Sequence, residues 1–357
     1  MPNTILDARV RSAYRARAVS AAIAVGAQVF ATGAGVCVTI SLNAAYLSTL
    51  PCLPLAALAA ALCRRSLAAQ MQRPSRQRSG GLARVLHILL SLLMLACCTL
   101  LLAAASNLAG QMFLVQAKVI DIVTLTLIAA ALCALSGGTG VSRLCFALRF
   151  LLPCGLVVLT LCSISVRSPA GLFPLLGAGP AMLGASSLCA LGACSPVMLL
   201  LLPPPELEAI DSPSQSLPGA WFFIWRILLG VSVGILLLAA LSLCNTYETL
   251  RELRVWGARM QLTCSDRPRE GLAQTLLVLF QLAALFMGSV STLCAAERTV
   301  CRSFPALKKH RFGLFVCLLL LAVSLWIITH YGMILALRTA PLLLVPFLLI
   351  LLLSKRM

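Results

Sequence analysis

Residues 177–202 read GAGPAMLGASSLCALGACSPVMLLLL, an apolar stretch longer than the roughly 20 residues that a helix needs to cross the bilayer core. Gly192-Ala193-Cys194-Ser195-Pro196 interrupts this stretch slightly past its middle. Membrane helices tolerate such interruptions where neighbours satisfy the freed backbone groups or where those groups line a cavity. We therefore expect a membrane-spanning helix that is broken near its centre.

The composition of the whole chain agrees with a membrane location. Of the 357 residues, 61% are hydrophobic and 11% are charged, and the mean hydropathy is +1.00. Soluble domains contain about 45–50% apolar and about 25% charged residues. These values exclude a water-soluble enzyme and also a disordered chain, which requires low hydrophobicity. We expect an all-α polytopic membrane protein.

Hydropathy predicts about ten transmembrane helices, named here spans one to ten. Their predicted bounds are residues 18–40, 44–63, 86–108, 119–136, 144–165, 178–202, 220–244, 272–295, 312–332 and 335–354. Together they form a single transmembrane domain over residues 1–357, with five spans in residues 18–165 and five in residues 178–354.

The charge distribution predicts the orientation of these spans. The net charge is +18, and most Lys and Arg side chains lie in loops on the same side as the N-terminal segment, residues 1–17. Because basic loops remain in the cytoplasm, we expect both termini to be cytoplasmic. The basic charge is therefore explained by membrane topology, with the lipid bilayer as the partner, and we expect no nucleic-acid partner.

The residue types that perform catalysis or bind metals are not clustered in this sequence. The three histidines have no carboxylate and nucleophile near them in the chain, and the 16 cysteines form no CxxC pair or Cys/His cluster with metal-ligand spacing. We therefore expect no enzyme activity, no catalytic residues, no metal and no cofactor. Most cysteines lie in apolar runs, where we expect them to be small fillers at helix contacts.

Span one carries a second interruption, Thr32-Gly33-Ala34-Gly35. Transporters with inverted repeats bind their substrates near the bilayer midplane, at helices that are broken in corresponding places of the two halves. Spans one and six are corresponding members of two five-helix halves. The candidate ligand-binding residues are Thr32, Gly33, Gly35, Gly192, Cys194 and Ser195. The alternative is that these small residues simply form close helix contacts.

Several short phrases in the chain resemble one family of membrane proteins. They are Leu-Pro at residues 152–153, FPLLGAG at residues 173–179, RPRE at residues 267–270 and APLLL at residues 340–344. In their order and position these phrases resemble phrases in the sequences of the spore germination permeases. These permeases are the integral-membrane B subunits of nutrient germinant receptors.

This resemblance implies a fold, a location and a function. The family looks like a branch of the amino acid–polyamine–organocation superfamily, with a 5+5 inverted-repeat transporter fold in which helices one and six are broken. It implies a multi-pass protein of the bacterial cytoplasmic (spore inner) membrane, beside A-type and C-type receptor subunits. The ligand would be a small nutrient, often an amino acid, whose binding triggers germination.

Two other functions remain open at this point. The chain could be a secondary active transporter for amino acids or related amines, or a scaffold that only holds partner subunits. For an amino acid ligand, we expect the carboxylate near Gly33 and Gly35 and the ammonium near Gly192 and Ser195.

Overall fold

Helices make up nearly all of the computed structural model, which describes residues 2–72, 81–112, 118–164, 175–204, 218–244, 268–307, 312–331 and 340–354. Within these ranges the chain forms no β-strand. In chain order, the α-helices are α1 (Pro2–Thr32), α2 (Val38–Ser41), α3 (Ala45–Ser48), α4 (Cys52–Gln72), α5 (Gly81–Met112), α6 (Val119–Leu135), α7 (Gly137–Ala147), α8 (Leu151–Ile164), α9 (Pro180–Leu191), α10 (Ala220–Cys244), α11 (Pro268–Ser303), α12 (Phe312–Tyr331) and α13 (Leu344–Leu353).

Two other kinds of helix connect or extend these elements. A π-helix, Gly33–Cys37, joins α1 to α2. The 3-10 helices include Leu42–Ala44, Gly192–Leu201 and Ala340–Leu343. The Leu- and Ala-rich segments are helical because lipid offers no hydrogen bonds, so a spanning segment must satisfy its backbone internally.

The expected all-α polytopic membrane protein is confirmed. Within the described ranges, seven helical segments are long and apolar enough to cross a membrane, or eight if the bent pair of α6 and α7 is counted as one span. The seven segments are Val10–Ser48, Cys52–Gln70, Gly81–Gly110, Pro180–Leu201, Ala220–Ala240, Thr275–Ser303 and Phe312–His330. Each of the ten predicted spans overlaps a described helix, although α8 and α13 are short.

Two predicted boundaries are wrong. Span two was expected from residue 44, but α4 begins at Cys52, because residues 42–48 form a 3-10 turn and a short helix that extend span one. Span five was expected from residue 144, but that residue lies inside α7, which is bent by 102° from α6. Gly137 makes this bend with φ +79°, a left-handed conformation that glycine adopts without a steric penalty.

Glycines bring α1 into backbone contact with its neighbours. A Cβ atom added at Gly26 would lie 2.5 Å from the carbonyl oxygen of Gly230 in α10, and one at Gly234 would lie 2.6 Å from that of Gly26. On another face, a Cβ at Gly288 of α11 would lie 3.2 Å from the Cα of Ala24. Gly230 and Gly234 form a GxxxG motif, which permits this closeness between membrane helices.

The contacts also give the relative directions of the helices around α1. Gly26 faces Gly230 and Gly33 faces Leu238, so α1 and α10 run parallel. Span six runs antiparallel to α1, because Arg17 is bonded to Leu199 and Cys37 to Ser186. These directions agree with the predicted order of crossings, and the division into two five-helix halves stays a prediction.

Candidate functional site

Spans one and six leave α-helical geometry at the two predicted interruptions. In span one the π-helix covers Gly33–Cys37, and in span six the 3-10 helix covers Gly192–Leu201, with Pro196 inside it. The expected breaks therefore take the form of helical segments with a different pitch, without extended backbone between them. A π-helical turn frequently marks a functional site, and a 3-10 stretch frequently marks a hinge.

The glycines of the FPLLGAG phrase place the start of span six against the end of span one. The described part of this phrase, residues 175–179, is a turn in which Gly177 and Gly179 have φ values of +55° and +112°. A Cβ at Gly177 would overlap the carbonyl oxygen of Ser41, so only glycine allows this approach. The hydroxyl of Ser41 also lies 3.1 Å from that of Ser186 in α9.

Cysteine thiols join spans one, two and six. The thiol of Cys37 donates to the carbonyl of Ser186 over 3.6 Å, and the thiol of Cys52 donates to the carbonyl of Ala190 over 3.2 Å. The thiol of Cys194 donates to the carbonyl of Cys52 over 3.6 Å. These cysteines are buried, as expected of apolar fillers, but they also act as weak donors to backbone carbonyls.

The predicted residues of span six are buried together on its 3-10 segment. Gly192, Cys194 and Ser195 are fully enclosed by neighbours, and the hydroxyl of Ser195 donates to the carbonyl of Gly192 over 2.5 Å. This local bond stabilises the tight turn at the point where α9 changes to 3-10 geometry. The side chain of Ser195 also interacts with Cys97 of α5.

The predicted residues of span one have different surroundings from one another. Gly33 lies against Leu238 of α10, whose side chain occupies the place where a Cβ would extend, so no space is open there. Gly35 is half-buried, and Thr32 is completely buried at the end of α1. Among these three residues, Thr32 offers a side-chain group to a ligand.

Gln28 is a functional candidate that sequence analysis missed. Both amide atoms of Gln28 and the hydroxyl of Thr32 are buried without a hydrogen-bond partner among the described residues. Gln28 follows Arg17 by 11 residues, about three helical turns, so both residues lie on the same stripe of α1. Arg17 contacts span six, and Ala24, seven residues further along, contacts Gly288 of α11, so this stripe lies between span six and α11. A glutamine in the middle of an apolar run was the signal that could have identified it.

Two arginines form hydrogen bonds to the C-terminal end of span six. This end of the helix bundle, defined by Arg17 and Leu199, is called the basal end. The buried guanidinium of Arg17 donates through Nε to the carbonyl of Leu199 over 3.0 Å. Arg298 of α11 donates through Nη2 to the carbonyl of Pro203 over 2.7 Å. The carbonyl of Leu199 also accepts from the backbone N–H of Leu202, and Pro203 lies just beyond the 3-10 segment, so the two arginines bind carbonyls at the C-terminal end of span six. They hold span six against α1 and α11.

Within the described ranges, no group of three or more His, Cys, Asp or Glu side chains is arranged to hold a metal ion. The unpartnered atoms of Gln28 and Thr32 belong to an amide and a hydroxyl. Such groups can donate and accept hydrogen bonds with a polar organic molecule.

Comparisons with known proteins identify the fold. No family model and no curated protein sequence matches the chain. Among solved structures, a manganese transporter of Eremococcus coleocola is similar with a TM-score of 0.59 and 15% identity, covering 96% of this chain and 79% of that protein. Mhp1, a nucleobase-cation-symport-1 family transporter in a closed conformation with bromovinylhydantoin bound, has a TM-score of 0.52 and 16% identity, covering 92% and 74%. The chain therefore has the fold of these transporters.

Proposed function

We propose that this protein binds a small nutrient, an amino acid or a molecule of similar size and polarity, between α1 and span six. The observation that carries the proposal is the set of unpartnered polar atoms of Gln28 and Thr32. A buried polar group without a partner destabilises a folded protein by about 1–3 kcal/mol, so a retained one suggests a missing partner.

The surroundings of these atoms favour a ligand without net charge. The proposed contacts are the uncharged side chains of Gln28, Thr32 and Ser195, and the ionisable Arg17 is bonded to Leu199 at the basal end. A zwitterion suits such a site, because the amide of Gln28 can accept from an ammonium and donate to a carboxylate. The π and 3-10 segments can change their hydrogen-bond pattern when a ligand binds.

We propose in addition that binding serves sensing, as in the B subunit of a spore germinant receptor. The phrases that resemble the germination permeases support this role, with A-type and C-type subunits as partners. The FPLLGAG turn supports it further, since its Gly177 packs against Ser41 at the end of span one. A ligand can drive such a receptor only through different affinities for two arrangements of these spans.

A secondary active transporter for amino acids or related amines is the second candidate. Its supporting observation is the likeness to the manganese transporter and to Mhp1, which extends over more than nine-tenths of the chain. Sensing and transport share the proposed site and differ in what happens after binding.

Binding is tested with the purified protein and a panel of the amino acids, by the shift in thermal unfolding that a ligand produces. We expect at least one amino acid to stabilise the wild type. The variant Gln28→Met should weaken that ligand about tenfold or more, because two hydrogen bonds of about 0.5–1.5 kcal/mol each are lost. Thr292→Val, which alters a hydroxyl already bonded within α11, is the matched control and should bind normally. Equal affinity of Gln28→Met and wild type would place the ligand elsewhere.

Uptake distinguishes the two roles. Protein reconstituted in liposomes is supplied with the radiolabelled amino acid found in the binding panel, under a proton or sodium gradient. A sensor binds the ligand and reaches a stoichiometric plateau, whereas a transporter accumulates it many times over. Accumulation above the amount of protein would reject the germinant-receptor role and favour the transporter.

A further inference from the structure

A crevice separate from the proposed nutrient site opens between α1, α8, α10 and α11. It contains about 660 Å³ of space between atoms, its open side included. Its floor is the surface of α1 from Val19 to Phe30, and one wall is the stripe of α10 from Arg226 to Leu237. Each of these stripes covers 11 residue steps, about 16 Å at the rise of an α-helix.

Nearly all of the lining is apolar, and two of its side chains, Arg149 and Arg226, are charged. Arg226 is the first crevice residue of α10, and Arg149 lies two residues before α8 begins at Leu151. The guanidinium of Arg149 lies 3.9 Å from the ring centre of Phe146, and that of Arg226 lies 5.5 Å from the ring centre of Phe222. Within the described part of the chain, neither arginine has a carboxylate at ion-pair distance.

Tryptophans indicate the depth of Arg226 in the membrane. Trp221 and Trp225, on the same first turns of α10 as Arg226, are 79% and 68% exposed. Exposed tryptophans concentrate at the level of the lipid headgroups. Arg226 therefore lies at headgroup level, and the apolar stripe of α10 extends from it toward the bilayer centre.

A buried amide lies inside the crevice. Gln281 of α11 is 4% exposed, lines the crevice, and its Oε1 atom has no hydrogen-bond partner among the described residues. The crevice thus combines two cationic groups, an apolar channel and one unpartnered acceptor.

We propose that this crevice binds one anionic glycerophospholipid. Its phosphate would be held by Arg149 and Arg226, since guanidinium groups match phosphate geometry and basic pockets between membrane helices bind anionic headgroups. One acyl chain would lie along α1 at the close contact of Gly26 with Gly230. The lipid is bound to the parallel pair of α1 and α10, so it stabilises the position of α1, the helix that carries Gln28 and Thr32.

The test uses the purified full chain in nanodiscs of equal parts phosphatidylglycerol and phosphatidylcholine. The lipid that stays bound after transfer to detergent is counted by mass spectrometry. We expect about one phosphatidylglycerol per chain, enriched at least tenfold over phosphatidylcholine. The double variant Arg149→Gln with Arg226→Gln should lose this enrichment. Replacing two exposed arginines outside the crevice, Arg65→Gln with Arg143→Gln, is the matched control and should retain it.

A second variant tests whether the lipid binds inside the crevice or only to the two arginines. Ala284→Phe fills the crevice and leaves both arginines in place, so we expect it to release the lipid. Retention of phosphatidylglycerol by Ala284→Phe would overturn the proposal, as would equal retention of both lipids by the wild type. The wild-type comparison decides the question even if a variant fails to fold. Nutrient binding is measured separately, so either proposal can fail alone.

Discussion

Replacement of Thr32 by valine should stabilise the ligand-free protein and weaken its response to ligand. Valine has nearly the same shape as threonine, so the change removes the hydroxyl without opening a cavity. That hydroxyl is completely buried and has no partner among the described residues. Its removal therefore eliminates a desolvation penalty and breaks no hydrogen bond.

The size of the effect follows from the cost of an unpaired group. A buried hydroxyl without a partner destabilises by about 1–3 kcal/mol, so Thr32→Val should raise the free energy of unfolding by about that amount. The same substitution at Thr292 removes a hydroxyl that donates to the carbonyls of Gly288 and Ser289 over 3.1 and 2.8 Å. Thr292→Val should lower the free energy of unfolding by about 0.5–1.5 kcal/mol.

The two variants are compared by thermal unfolding in detergent without ligand, followed by titration with the nutrient identified in the binding panel. We expect opposite shifts in Tm, upward for Thr32→Val and downward for Thr292→Val. We also expect weaker ligand stabilisation for Thr32→Val alone. A lower Tm for Thr32→Val would show that its hydroxyl has a partner in the protein, and the reasoning about the site would fail.

Two further predictions concern the packing and the closed basal end. Gly230→Ala should lower the free energy of unfolding by about 1–3 kcal/mol, because its Cβ would overlap the carbonyl of Ala22, and thermal unfolding measures this change. Arg17→Met should make the basal end open more often, because a bond from a charged donor to Leu199, worth about 1.5–3 kcal/mol, is lost. The alkylation rate of the buried thiol Cys194, followed by peptide mapping, should rise about tenfold or more.

Each of these variants has a control. Gly184 lies on the exposed face of α9 with no heavy atom within 4 Å of an added Cβ, so Gly184→Ala should stabilise by about 0.5–1 kcal/mol. A stable Gly230→Ala protein would contradict the close approach of α1 and α10. Arg143→Met alters an exposed arginine of α7 and should leave the thiol unreactive. Slow alkylation in Arg17→Met would mean that this residue does not hold span six.

Hydropathy was sufficient to predict an all-α membrane protein, because the lipid solvent permits few alternatives to a hydrogen-bonded helix. It did not predict α7. Its 102° bend depends on the left-handed conformation of Gly137 and on the packing of Cys145 near Ser291, which no apolar pattern encodes. The start of α4 was missed for a related reason, since the apolar run continues almost unbroken from Ala18 to Cys63, with Asn43, Pro51 and Pro54 as the signals of a turn.

The changes in helix geometry were predictable from the sequence, but the surroundings of the candidate site residues were not. The glycine interruptions indicated where spans one and six change geometry, yet Gly33 packs against Leu238. Sequence alone cannot say whether a glutamine in an apolar run is paired, so the importance of Gln28 required the structure. The lipid crevice is formed by four helices that are distant in the chain, and no local pattern in any one of them indicates it.

The most direct test of the central claim is a structure of the protein determined by electron cryo-microscopy with its nutrient bound. We expect density for the ligand between α1 and span six, within hydrogen-bond distance of the amide of Gln28 and the hydroxyl of Thr32. Ligand density at another place, with both side chains still enclosed and unpartnered, would contradict the claim.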